Sequence, residues 1–252
     1  MKKIKAMISN KKLTIGSWLQ LPDVFSAEIM AKAGFDWLAI DLEHGLIDIS
    51  KAFELIQVIE LCGVAPLVRL NENDPSLIRR VMDAGAAGVI VPMVNSADEA
   101  QKAVDAVKYH PLGKRSFGLG RSHAYGDNFD SYIRNANSDS LLVVQIEHLE
   151  AVDNLDQIIK VPGIDAIIIG PYDLSGSMGI PGKFGELKFQ KVLKKIVEKI
   201  RNSDVALGIH IVHPSEKEFE KRVKEGFNFI AYGMDTIYLS QGAKRAIESI
   251  KK

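Results

Sequence analysis

Five polar residues of this chain lie at or just past the ends of apolar segments: Asp41, His44, Arg69, Glu147 and Asp173. In a barrel of parallel strands, the carboxyl ends of the strands open onto the face where such enzymes carry out chemistry. Two carboxylates suit a divalent cation, an aspartate–histidine pair suits proton transfer, and an arginine suits an anionic substrate. This combination predicts metal-assisted chemistry on an anion.

The spacing of these residues suggests a role for each. Glu147 and Asp173 follow consecutive strands, so their carboxylates are predicted neighbours that bind a metal, the alternative being two solvated loop acids. Asp41 precedes His44 by three residues and is expected to accept a hydrogen bond from its ring. Arg69 needs an anionic partner, either a protein carboxylate or a substrate. The predicted strands contain no lysine for a Schiff base, so carbanion chemistry would need a metal.

Eight apolar segments alternate with amphipathic ones along the chain, and this alternation predicts an α/β fold. Continuous Val/Ile/Leu segments are typical of parallel strands covered on both faces. No G-x-G-x-x-G motif follows the first segment, so a (β/α)₈ TIM barrel formed by one domain, residues 1–252, is favoured over a doubly wound sheet. The predicted strands are Leu13–Leu19, Trp37–Asp41, Ala65–Leu70, Gly88–Pro92, Leu141–Ile146, Ala166–Gly170, Ala206–Ile211 and Phe229–Tyr232.

One connection, residues 109–140, is much longer than the others. Its glycines and aromatic residues favour an ordered lid or a subunit contact, and a disordered linker is the alternative. The predicted helices are Phe25–Ala33, Ile49–Leu61, Ser76–Ala84, Ala97–Lys108, Leu149–Ile159, Lys188–Asn202, Glu216–Glu225 and Thr236–Lys251.

Composition excludes several classes of protein. The 252 residues carry 32 basic and 32 acidic side chains, so the net charge is zero, which argues against a nucleic-acid partner and leaves little repulsion against self-association. No segment reaches the roughly 20 apolar residues of a membrane span, and the basic N-terminus lacks a signal-peptide core. With a single cysteine, Cys62, interpreted as a buried apolar residue, we expect a cytoplasmic protein.

Several phrases, taken in order, resemble the HpcH/HpaI aldolase family, the metal-dependent pyruvate aldolases of the phosphoenolpyruvate/pyruvate barrel superfamily. The resemblance covers most of the chain, and the ordered set is far more specific than any one phrase. The phrases are Gly16-Ser17-Trp18-Leu19, Ala33-Gly34-Phe35-Asp36-Trp37, Asp41-x-Glu43-His44, Val68-Arg69, Val91-Pro92-Met93-Val94, Gln145-Ile146-Glu147, Val161-Pro162-Gly163-Ile164-Asp165 and Ile169-Gly170-Pro171-Tyr172-Asp173-Leu174-Ser175.

The resemblance implies a lyase that cleaves a 4-hydroxy-2-oxo acid to pyruvate and an aldehyde, or runs the reverse addition. Glu147 and Asp173 would bind Mg²⁺, Mn²⁺ or Co²⁺, Arg69 would stabilise the enolate oxygen, and His44, oriented by Asp41, would act as acid and base. The pyruvate pocket would be lined by Trp18, Gln145, Gly170, Pro171 and Tyr172. Family members are homo-oligomers, hexamers built as trimers of dimers, and a swapped C-terminal helix is common in the superfamily.

The sequence departs from the family pattern beside the histidine, at Leu42 and at Gly45-Leu46, on the side where the aldehyde binds. With these residues the sequence resembles a subgroup of the family associated with surface-polysaccharide gene clusters. The sequence does not identify the aldehyde. One alternative is a lyase acting on a 3-hydroxy acid or on malyl- or citramalyl-CoA, for which Arg115 and Arg121 are candidate phosphate ligands. The others are an enzyme that uses phosphoenolpyruvate and a catalytically idle scaffold.

Overall fold

Eight parallel strands form a closed barrel in the order β1 to β8, as seen in a computed structural model that describes residues 2–251. Each strand pairs with its sequence neighbours, and β8 pairs with β1. The (β/α)₈ barrel prediction is confirmed, and each predicted strand lies within two residues of an observed one. The strands are Thr14–Leu19, Trp37–Asp41, Ala65–Arg69, Gly88–Val91, Leu141–Ile146, Ala166–Ile169, Ala206–Ile211 and Phe229–Met234.

Helices connect the strands and cover the outside of the barrel. In the described part of the chain, no helix is long and apolar enough to cross a membrane. Twelve α-helices, α1 to α12, are described: Lys2–Ser9, Val24–Lys32, Ile49–Leu61, Pro75–Asp83, Ala97–Val107, Phe129–Asp139, Leu149–Asp153, Leu155–Ile158, Pro171–Ser177, Leu187–Arg201, Glu216–Glu225 and Asp235–Ile250.

Strand periodicity decides which side chains enter the barrel. Successive residues of a strand point to opposite faces, so every second residue faces inward. Trp37 and Ala39 therefore belong to the interior cluster, whereas Leu38 and Ile40 pack against the surrounding helices. Continuing the inward series by two residues from Ala39 reaches Asp41 at the carboxyl end of β2, so the alternation that builds the core also supplies the site with its side chains.

The N-terminal helix α1, which the sequence reading did not predict, lies against the opposite end of the barrel. Ile4 and Ile8 are buried in the interior cluster, and Lys5 forms an ion pair with Asp165. The spacing of these two isoleucines, one helical turn apart, is a sequence signal for a helix with one buried face. The lysines around them make this apolar pattern hard to see.

The segment 109–140 is ordered. A 3₁₀ segment that is kinked at His123–Tyr125 covers Arg121–Gly126, and α6 follows, so the predicted long loop is in part helical. Tyr109 stacks on Phe117 with ring centres 4.7 Å apart, and the fully buried Arg115 pairs with Asp83 of α4. These contacts fasten the segment to the outer helix layer.

Gly16, inside the barrel, is a sensitive point for packing. A Cβ at this position would lie 2.0 Å from the ring of Trp37, which stacks on Phe229 and has no room to move. We expect Gly16→Ala to lower the free energy of unfolding by about 1–3 kcal/mol or more, measured by urea denaturation. Gly176→Ala is the matched control because no atom lies within 4 Å of its added Cβ, and it should leave stability unchanged. Equal stability of the two variants would contradict this packing.

Candidate active site

The carboxyl end of the barrel holds a cavity of about 270 Å³. Its walls combine the last inward-facing residues of the strands with the β6–α9 connection. Charged, amide and apolar groups meet there, which is the usual character of a small-molecule site. The lining residues are Trp18, Gln20, His44, Arg69, Gln145, Ile168, Ile169, Gly170, Pro171, Tyr172, Asp173, His210, Val212 and Met234.

Arg69 is held rigidly in this cavity by Asp41 of the neighbouring strand. Its Nε and terminal nitrogen donate to the two oxygens of Asp41 at 2.9 and 2.6 Å, and its guanidinium lies 4.4 Å from the ring centre of Trp18. Asp41 is fully buried, but the hydrogen bonds and charge of Arg69 outweigh burial and keep its pKa below the ordinary value. The pair presents a preorganised cation to the cavity.

The predicted contact between Asp41 and the His44 ring is not formed. Asp41 accepts a hydrogen bond from the backbone N–H of His44 at 3.2 Å. It also accepts hydrogen bonds from the guanidinium of Arg69 and from the side-chain amide of Gln20. The His44 side chain is 58% exposed, and its Nε2 lies 3.8 Å from a carboxylate oxygen of Glu43. A turn of three residues brings the backbone back to Asp41, so the ring itself points outward over the cavity.

Glu43, which stands between Asp41 and His44 in one of the quoted phrases, is also a residue of the site. One of its oxygens lies 3.1 Å from Arg69, yet that oxygen is buried and lacks a hydrogen bond. Burial raises the pKa of Glu43 to about 7, with added repulsion from Glu147, Asp41 and Asp173 and opposition from Arg69. A carboxyl group that titrates near neutral pH is suited to proton transfer.

The two predicted metal ligands come from neighbouring strands. Glu147 directly follows β5, and Asp173 lies in the first turn of α9, just after β6. Glu147 accepts hydrogen bonds from the Met93 backbone at 2.7 Å and from the Gln145 amide. Burial raises the pKa of Glu147, and the charge of Asp173 raises it further. The two carboxylates are therefore close enough to repel one another.

Glycine at position 170 keeps space open beside Glu147. A Cβ on Gly170 would lie 2.7 Å from an oxygen of Glu147, so any side chain there would press on the carboxylate. Gln145 is buried, Pro171 is buried, and Tyr172 is 44% exposed at the cavity mouth. Trp18 and these predicted pocket residues all line the cavity, whereas Glu147 is not among the lining residues.

The arginines considered for a CoA ester lie elsewhere. Arg115 is buried against Asp83, and Arg121 pairs with Glu60 on the outer helix layer. Neither lines the cavity at the barrel mouth. Their charges are neutralised within the fold, so the CoA alternative loses its candidate phosphate ligands.

A closed parallel barrel with this set of charged groups at its carboxyl face defines a barrel enzyme acting on a small anion. A sequence profile of the HpcH/HpaI aldolase/citrate lyase family matches residues 14–241. A 2-keto-3-deoxy-L-rhamnonate aldolase of Klebsiella pneumoniae is 38% identical over 94% of this chain and 88% of its own length. The crystal structure of an HpcH/HpaI aldolase from Desulfitobacterium hafniense superposes with a TM-score of 0.91, at 29% identity over 99% of this chain and 96% of that one.

The chain belongs to the HpcH/HpaI aldolase/citrate lyase family. It is a carbon–carbon lyase of the aldolase type, with a 2-oxo acid, pyruvate, and an aldehyde as its reactants. The family points to a divalent metal. A protein of the same fold, a citrate lyase beta subunit of M. tuberculosis at 12% identity and a TM-score of 0.59, covering 92% of this chain and 95% of that one, was crystallised with oxaloacetate and magnesium.

The raised pKa of Glu43 predicts a pH-dependent effect on stability. Between its ordinary pKa of 4.5 and the folded value of about 7, the folded protein holds a proton that the unfolded chain releases. The protonated Glu43 therefore makes its full contribution to folding stability below pH 4.5, and this contribution is lost as the pH rises through 7. In the absence of metal, the free energy of unfolding of Glu43→Gln should differ little from that of the unaltered protein at pH 5. At pH 8 it should be larger by on the order of 2–3 kcal/mol.

The matched control for this experiment is Glu54→Gln on the exposed face of α3, where the glutamate pairs with Lys51 at 2.5 Å. Its stability difference from the unaltered protein should be the same at both pH values. A gain for Glu43→Gln that does not grow between pH 5 and pH 8 would show that Glu43 is ionised in the folded protein at neutral pH.

Proposed function

We propose that this chain cleaves a 3-deoxy-2-oxo sugar acid with a 4-hydroxyl group to pyruvate and a hydroxyaldehyde, with the help of Mg²⁺, Mn²⁺ or Co²⁺. The relatives named 2-keto-3-deoxy-L-rhamnonate aldolase support this substrate class. The observation that carries the proposal is the convergence of Glu147, Asp173, Arg69 and His44 at one end of one barrel.

Glu147 and Asp173 are the residues that would bind the metal. The donor chemistry fits, because two carboxylates that repel one another favour a cation between them. In the range 2–251, no cluster of three or more acidic, histidine or cysteine side chains with metal-binding geometry is found. A cation bound by these two residues would take its other oxygen ligands from water and substrate, which hard divalent cations readily bind. When bound, the cation withdraws electron density from the 2-oxo group.

The protein groups supply positioning and proton transfer. Arg69, fixed by Asp41, places a guanidinium where negative charge develops on the 2-oxo oxygen. His44, exposed to the cavity beside Glu43, takes the proton of the 4-hydroxyl as the C3–C4 bond breaks. The electron pair of that bond forms the pyruvate enolate, and transfer of the proton from His44 to C3 yields pyruvate and restores the histidine. Gln145 and the Gly170–Tyr172 backbone bound the pyruvate side of the cavity.

Exchange of the pyruvate methyl protons with deuterated water tests this proposal without any aldehyde. We expect exchange, followed by proton NMR, that requires added Mn²⁺ or Mg²⁺ and stops when the metal is chelated. Cleavage of 2-keto-3-deoxy-L-rhamnonate, coupled to lactate dehydrogenase, then reports the complete reaction. Metal-independent exchange, or none with any of the three cations, would reject the proposed chemistry.

We infer that the enzyme is a cytoplasmic homo-oligomer of one-domain chains, with a hexamer of exchanged C-terminal helices as the expected form. Helix α12 supports this, because nearly all of its second half is exposed, including Ile247 at 49% and Ile250 at 78%. Apolar side chains on an unpacked helix indicate a surface that another copy covers. Light scattering should give the mass of six chains, and removing residues 240–252 should give a smaller species. A monomer for the full chain would contradict this assignment.

A further inference from the structure

A second cavity, of about 400 Å³, adjoins the first on the side of β7. The two cavities share four lining residues: Pro171, Tyr172, His210 and Val212. His44, Arg69 and Asp173 line the first cavity and not the second. The second cavity therefore offers room for the part of a substrate that does not react.

His210 stands at this boundary as the last inward-facing residue of β7. Ala206 precedes it by four residues in the same inward series and belongs to the interior cluster. The ring lies 5.4 Å from that of Trp18, and its Nε2 is 3.3 Å from the Gly233 carbonyl oxygen. Because a carbonyl oxygen only accepts, Nε2 carries the hydrogen.

The hydrogen-bonding state of His210 follows from its surroundings. Burial and, next to it, the positive charge of Arg69 lower the pKa of His210 to about 3, so the ring is neutral at physiological pH. A neutral ring with the hydrogen on Nε2 has a lone pair on Nδ1. No residue of the described chain donates to Nδ1. The site therefore contains one hydrogen-bond acceptor, at the junction of two cavities, that protein groups leave free.

The second cavity carries little net charge. Arg222 pairs with Glu225 at 2.7 Å and also with Glu218, and Lys221 lies 3.9 Å from Glu225. The positive groups are thus neutralised within α11, and no free cation is left for a phosphate or a carboxylate. Phe184 and Tyr172, in edge-to-face contact at 5.0 Å, supply an aromatic wall that suits the C–H groups of a neutral carbohydrate chain.

We propose that His210 Nδ1 accepts a hydrogen bond from a hydroxyl group of the aldehyde half of the substrate, and that an uncharged, hydroxylated chain extends past His210 into the second cavity. This inference rests on the aldolase activity proposed above and specifies its acceptor. It makes His210 a residue that selects hydroxyaldehydes over simple aldehydes.

The test compares two aldehydes that differ by one hydroxyl group, lactaldehyde and propanal, in metal-dependent addition to pyruvate. We expect the unaltered enzyme to prefer lactaldehyde in kcat/KM and His210→Leu to reduce that preference about tenfold, the effect of one hydrogen bond. His210→Asn, whose carboxamide oxygen occupies a position like that of Nδ1, should retain part of the preference. Both rates come from the same preparation, so a fraction of misfolded protein cancels in the ratio.

Two outcomes would overturn the inference. An equal lactaldehyde-to-propanal ratio in the unaltered enzyme and in His210→Leu would remove His210 from acceptor recognition. A preference of more than tenfold for glyceraldehyde 3-phosphate over glyceraldehyde, or a tenfold loss on passing from lactaldehyde to a tetrose, would show that the second cavity does not hold a neutral chain.

These failures are distinct from failure of the proposed function. Exchange of pyruvate protons by the unaltered enzyme involves no aldehyde and reports the metal side of the site alone. Absence of that exchange would remove the aldolase proposal itself. Normal exchange combined with unchanged aldehyde ratios would remove only the role assigned to His210.

Discussion

Glu147→Gln and Asp173→Asn are each expected to abolish Mn²⁺ binding and to slow pyruvate proton exchange by on the order of a thousandfold or more. Both substitutions keep the shape of the side chain and remove one negative charge. Glutamine at position 147 still offers an oxygen to the Met93 N–H, so the backbone around it should be preserved. Calorimetric titration with Mn²⁺ and proton NMR of pyruvate measure the two effects.

The matched control is Asp156→Asn on the outer helix α8. This carboxylate is 60% exposed, pairs with Lys199 at 2.7 Å and does not line the cavity at the barrel mouth. Its removal should change neither Mn²⁺ affinity nor exchange, because surface ion pairs contribute little. Retained Mn²⁺ binding in both Glu147→Gln and Asp173→Asn would show that the metal-binding residues have been misassigned.

Arg69→Met should damage both stability and catalysis. It leaves the fully buried Asp41 without its cationic partner, and breaking a buried pair in this way costs about 3–5 kcal/mol of folding free energy. It also removes the cation that faces the developing enolate, so kcat/KM should fall by roughly 10²–10³. Urea denaturation and the cleavage assay measure the two losses separately.

A second substitution separates the two roles of this pair. In the double variant Arg69→Met with Asp41→Asn, no unpaired charge stays buried, and most of the lost stability should return. Activity should not return, because the guanidinium is still absent. Recovery of activity in the double variant would mean that Arg69 only serves to neutralise Asp41.

Much of the barrel was predictable because its signals are local. Continuous apolar segments such as Leu141–Ile146 and Ala206–Ile211 have the length and composition of buried parallel strands, and both were predicted with the observed bounds. Helix α6 was missed because Phe129–Asp139 contains one buried residue, Ala136, so its apolar periodicity is weak. Helix α9 was missed because Pro171–Ser177 begins with proline and contains Gly176, signals that also mark a turn.

The order of residues along the chain determined the barrel, its carboxyl-end polar groups and the family to which the chain belongs, because strand periodicity and short motifs are properties of neighbouring residues. Tertiary structure alone decided how those groups pair. Asp41 binds the guanidinium of Arg69 instead of the His44 ring, and Glu43 and His210 acquire shifted pKa values. These outcomes depend on burial and on charges brought together from different strands. Neither can be predicted from the pattern of neighbouring residues in the sequence.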